Sequence, residues 1–190
     1  CIRDSAQSAY DAAVKAAADA KKAADEAVKK EAQGAAGWFQ TDDAEQAYKY
    51  LTDSSVSKYL EYTHIGAKDD ATSLDNLLRA LDMIDECNRL REENGLEPLK
   101  VSETALAMAM VQANYAANGH YGHNYQYENT GENLAWGPSD WDPYDGWYTA
   151  EKANYDAAVK SGDYPDLAGL SAYDISLKYP VSYTHLRAHE

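Results

Sequence analysis

Phenylalanine is almost missing from this sequence. Phe39 stands alone against sixteen Tyr and four Trp. A Phe-based core is excluded, and the aromatic area carries polar tips, suited to clefts and interfaces or to half-buried cover over an undersized core. Cysteine is scarce: Cys1 sits at the start of the chain and Cys87 inside a predicted helix, which leaves no disulfide framework. No stretch is long and apolar enough to span a membrane. Basic residues are few, 17 Lys and Arg against 32 Asp and Glu, for a net charge of −15. Phosphate binding needs a basic face, so nucleic acid is an unfavourable partner, and anionic lipid headgroups are disfavoured for the same reason. No signal peptide is visible, and the chain starts at Cys1 without an initiator Met; both a fragment boundary and a lipidated first residue fit that start.

What is present points to a folded core. The chain is 45% hydrophobic and 26% charged, and 190 residues suit one medium domain with an appendage. Ser5 to Gln33 is rich in Ala, Lys and Glu, strong helix formers, and Gly34 and Gly37 supply a stop and a hinge. Tyr10, Val14, Ala17, Lys21, Ala24 and Val28 recur at four and three, a heptad-like stripe made mostly of Ala. It predicts a spacer in residues 1–34, with weak self-association as the sharper alternative. Residues 35–75 read as a helical leader. There Thr41 is a candidate cap for a helix from Asp42 to Leu51, and Tyr59, Tyr62 and Ile65 are packing residues. His64 stands alone and reads as a surface or half-buried side chain.

From Ser73, a second candidate cap, Leu74, Leu77, Leu78, Leu81, Ile84, Cys87 and Leu90 repeat at helical spacing and predict one apolar face. Asn94-Gly95 ends that helix, and Pro98 lies in an extended connection. Ser102 opens another helix to about Asn118, whose methionines read as packing rather than a metal box. Gly119 to Gly131 is a loop dense in Gly, Asn, Tyr and His. Glu132 to Trp136 predicts a short strand, Pro138 and Pro143 a turn, and Asp145 to Lys160 a helix.

Four elements in this order resemble a known family. They are Asn88 and Arg91 ahead of Gly95-Leu96 and Pro98-Leu99; Tyr121-Gly122-His123; Gly131-Glu132-Asn133-Leu134; and Trp147, Glu151 and Tyr155 in a Trp-x-x-Glu-x-x-x-Tyr helix. Together they are similar to the CAP superfamily (SCP-like) of cysteine-rich secretory, antigen 5 and pathogenesis-related 1 proteins, of the bacterial secreted type. Residues 35–75 more loosely resemble a leader found before such domains. The resemblance implies an α+β fold, an α-β-α sandwich, with residues 76–180 as a CAP domain lacking its last strands. What remains is then mostly α and follows a long N-terminal helix. It also implies an extracellular or cell-surface location and a cleft lined by two His and two Glu. Carried over, His123 is the first His, Glu132 the first Glu and Glu151 the second, with Tyr155 beside them. His120, three residues before His123, is an alternative ligand, and Trp136 and Trp147 pack near the cleft.

The sequence departs from the family after the Trp-x-x-Glu helix. The second His and two apolar strands are missing. Val181 to Glu190 instead looks like the in-frame translation of a transposase-type sequencing adapter, so His185 and His189 are not recruited. Three functional readings follow. The favoured one is a non-enzymatic secreted module that binds a small lipid or a cell-wall or host ligand. A metal-assisted hydrolase or peptidase would use Glu132 or Glu151 as general base and a divalent metal such as zinc bound through His123, although one His with two Glu is a poor zinc set. An inert structural surface domain is the third.

Overall fold

The computed structural model describes residues 2–127, 130–138, 141–163, 166–171 and 174, with residues 2–9 as backbone only. The chain divides into two compact units, Cys1–Asn129 and Thr130–Glu190.

Helix α1, Ile2–Glu31, follows from its Ala-rich composition. Side chains 10–29 are all exposed, including the stripe residues Tyr10, Val14 and Val28. Lys15–Asp19 at 2.6 Å and Lys21–Asp25 at 2.7 Å pair across one turn, each contributing a few tenths of a kcal/mol in this exposed setting, roughly.

The turn after α1 is a close-packed corner, not the expected hinge: Gly34, Ala35, Ala36 and Gly37 are all buried. Three glycines let three backbone segments cross there. A Cβ on Gly34 would lie 2.1 Å from the Thr72 carbonyl oxygen, one on Gly37 1.8 Å from that of Lys30, and one on Gly66 2.1 Å from that of Ala32. The Ala35 N–H donates to the Thr72 carbonyl at 2.7 Å, and the Gly66 N–H to Thr72 Oγ1 at 2.9 Å.

Helix α2, Ala35–Thr41, leads by a short turn into α3, Glu45–Thr52. Thr41 is therefore the end of one helix and not the cap of the next. Its hydroxyl donates back to the Gly37 carbonyl at 2.9 Å, and Ala44 takes the cap position after Asp43 at a φ of 55°. Helix α4, Leu74–Glu93, is capped as expected by Ser73, and α5, Glu103–Ala117, by Ser102. Phe39, Ala47, Leu51, Leu77, Leu106, Met110 and Val111 form one core, with α3 packed along α5. The expected leader thus shares its core with the first helices of the expected CAP segment. Each large apolar side chain buried there contributes about 1.5–3 kcal/mol.

The apolar face read along α4 is only partly used. Leu77 is buried and Ala80 and Leu81 lean on the core, whereas Leu78 is 61% exposed. A repeat at three and four marks a helix face but not how far its neighbours extend. Beyond the core, α4 ends at Asn94-Gly95, with Gly95 at a φ of 70°. The two motif residues of this helix clasp the connection that follows. Asn88 Nδ2 donates to the Leu99 carbonyl at 3.0 Å, the Leu99 N–H returns to Asn88 Oδ1 at 2.7 Å, and Arg91 Nε donates to the Glu97 carbonyl at 2.8 Å. Asn88 thus satisfies the backbone of an extended segment as a neighbouring strand would. Asn88→Ala should lower stability by about 1 kcal/mol, read as a shift in urea midpoint, and loosen residues 96–101 first.

In the second unit, residues 130–138 are irregular, and no strand occurs among the described residues. The strand expected at Glu132–Trp136 does not form: the segment is irregular, and no partner edge for it occurs among the described residues. What the described residues carry of the expected α+β class is its helical part. Asp145–Ala150 forms a π-helical turn that runs into α6, Glu151–Ser161, closed by Gly162 at a φ of 74°. Leu167, in a 3-10 turn, is buried beside it.

Candidate functional site

The loop carrying the first motif histidine is fastened from below. Gln112, 8% exposed, lies on an otherwise apolar stretch of α5. Its side-chain Nε2 donates to Asn124 Oδ1 at 3.0 Å, and its Oε1 accepts from Asn124 Nδ2 at 2.8 Å and from Gln126 Nε2. Gln126 Oε1 in turn accepts the Lys58 N–H at 2.9 Å. Tyr127 meets Ser57 Oγ at 3.0 Å through its hydroxyl and Tyr50 edge-on at 5.3 Å. Residues 124, 126 and 127 are thus tied to α5, α3 and the segment after α3. Between the ties Gly122 has a φ of 123° and Tyr125 one of 53°. This backbone turns Tyr121, His123 and Tyr125 outward, Tyr125 being 84% exposed. The His123 and Tyr125 rings lie 5.8 Å apart. Fixing a loop in advance removes part of the ordering cost of binding.

The other motif residues lie in the Thr130–Glu190 unit. Glu132 is half-buried. Glu151 and Tyr155 sit one turn apart on α6, both half-buried, with Glu151 Oε2 itself inaccessible. Trp147 lies in the π turn just before Glu151, edge-on to Tyr144 at 5.7 Å. Turns of this kind recur at functional sites. Trp136 is exposed rather than packed. His120 does not turn toward His123: it stacks on Tyr115 at 4.3 Å and meets the Tyr62 hydroxyl at 3.2 Å. Among the described residues no three His, Cys, Asp or Glu gather as a group able to hold a metal ion.

Elsewhere in the first unit lies a buried polar centre that sequence reasoning missed. Asp70, 5% exposed, accepts from Thr72 Oγ1 at 2.5 Å, the Thr72 N–H at 2.8 Å, Asn114 Nδ2 at 3.0 Å and the His64 N–H at 2.5 Å. Burial alone would raise its pKa, but the hydrogen bonds from Thr72, His64 and Asn114 outweigh it and hold the carboxyl below its ordinary value. Asn114 Oδ1 also accepts the Ala71 N–H at 2.8 Å. Two buried amides, Gln112 and Asn114, pointing to different sides of one largely apolar helix, were the signal for the two networks.

A family model described as the cysteine-rich secretory protein family, CAP, matches residues 84–179, about half of the chain. The chain belongs to this family. No curated protein and no solved structure gives a match.

Proposed function

We propose that this chain is a secreted or cell-surface CAP-domain module that binds a small lipid or a cell-wall or host ligand without turning it over. One observation carries the reading: the His123 loop is pinned at Asn124, Gln126 and Tyr127 while His123 and Tyr125 are held outward. A rigid base under exposed amphipathic rings supports recognition, because such rings give contact area at low ordering cost. In this reading α1 serves as a spacer, and Glu132, Glu151 and Tyr155 are ligand-facing residues of the Thr130–Glu190 unit, considered by itself.

The test uses the full chain against a fluorescent sterol and against purified peptidoglycan. Binding to at least one is expected, weakened about tenfold when His123→Ala and Tyr125→Ala are combined. Failure to bind either probe, or equal binding by the double variant, overturns the reading.

A further inference from the structure

A second surface of the Cys1–Asn129 unit carries its own aromatic construction. Tyr59 stacks on Tyr115 at 4.2 Å, Tyr115 on His120 at 4.3 Å, and Tyr62 closes edge-on against both Tyr115 at 5.5 Å and His120 at 5.1 Å. The arrangement imposes strain on the backbone. Tyr59 has a φ of 66°, a left-handed conformation unfavourable for a bulky side chain, immediately before the 3-10 turn Leu60–Tyr62. That kink sets Tyr59 and Tyr62 on two sides of Tyr115. Tyr59, Tyr62 and Tyr115 are half-buried and His120 is exposed; burial, followed by the neighbouring Tyr59, Tyr62 and Glu61, raises the Tyr115 hydroxyl above its ordinary pKa.

A groove of about 190 Å³ opens beside it, with Tyr62 as its aromatic wall and His64, Lys68, Asp69 and Asn118 among its lining. Its floor, Asp70 and Asn114, is committed to the internal network. Lys68, Asp69 and Asn118 are exposed at the rim and offer donors and acceptors outward. The Asn118 Nδ2 is used on the Asn114 carbonyl at 2.9 Å, which leaves its Oδ1 as the acceptor. The volume is below the roughly 300–1,000 Å³ of drug-sized sites, so the occupant is a single small ring. The polar rim disfavours an acyl chain, Asp69 disfavours an anion, and Lys68 disfavours a cation.

We infer that this groove is a saccharide subsite, taking one neutral pyranose ring with its C–H face on Tyr62 and its hydroxyls toward Lys68, Asp69 and Asn118. The site is separate from the His123 loop and stands whether or not that loop binds a ligand.

The full chain is titrated with cellotriose and with chitotriose and followed by amide-resolved NMR. Saturable shifts are expected at residues 62–69 and 117–120 with at least one sugar. Tyr62→Ala should weaken binding about tenfold and Lys68→Ala about threefold, while Tyr62→Phe keeps most of it. Lys22→Ala, on exposed α1, should leave it unchanged. Lys68 is exposed, so its variant tests the groove even where Tyr62→Ala disturbs the fold. The assignment is overturned if neither sugar gives saturable shifts, if the shifts fall on residues 121–127, or if Lys68→Ala and a folded Tyr62→Ala bind as the parent does.

Discussion

Gly37→Ala is expected to unfold the Cys1–Asn129 unit or come close to it. The added Cβ would sit 1.8 Å from the Lys30 carbonyl oxygen and 3.0 Å from its Cα, and both are backbone atoms that no rotamer change can move aside. Relief requires the end of α1 to separate from α2, which pulls the Ala35 N–H off the Thr72 carbonyl and opens the core over Phe39. The cost should be at least about 3 kcal/mol, a large share of the roughly 5–15 kcal/mol by which domains are stable. Gly95→Ala is the matched control. Gly95 also has a left-handed φ, 70°, but nothing lies within 4 Å of a Cβ there, so only backbone strain of about 1–2 kcal/mol is added. Thermal melts followed by far-ultraviolet circular dichroism would separate the two. Similar melts for both variants would mean that the corner is looser than its geometry.

The second large effect is expected at Asp70, and it carries a pH signature. Asp70→Asn replaces one acceptor oxygen with a donor amide that must face the His64 N–H or the donors of Thr72 and Asn114. A buried donor facing a donor, with its partners left unsatisfied, should cost about 3 kcal/mol or more. The native carboxyl has a depressed pKa, so the unfolded chain binds the proton more readily. The stabilisation is therefore complete above the unfolded value, about 3.9, and is lost as pH falls through the lower folded value. Urea midpoints measured from neutrality down to about pH 3 should fall steeply at the acid end for the parent and less steeply for Asp70→Asn. Parallel acid limbs would remove Asp70 as the titrating group.

Much of the helical frame was legible because its signals are local. Ser73 and Ser102 cap the helices they precede, and Gly95 takes the left-handed position at the end of α4. The readings that failed turn on contacts distant in sequence. Gly34 and Gly37 looked like breakers, yet Gly37 lies inside α2, and its missing side chain serves an approach to α1 that no window of sequence displays. Thr41 had the chemistry of a cap but spends its hydroxyl on the Gly37 carbonyl. Asp70 and Asn114 lie 44 positions apart, and neither is conspicuous alone. The motif residues His123, Glu132, Glu151 and Tyr155 were read through family likeness. The ties that hold the His123 loop, Gln112 above all, belong to the packing of this chain and are not part of the motifs.

The glycine corner also fixes how a mechanical load would travel. Thirty residues of α1, about 45 Å of helix, stand on a junction with no slack, so sideways force along α1 works against a short, stiff base. The foot of α1 abuts α2, Gly66 and Thr72, and Thr72 is hydrogen-bonded to Asp70. A load on α1 would therefore reach the buried carboxylate through Thr72, which makes Asp70 part of the base of α1 as well as the acid-sensitive group of the first unit.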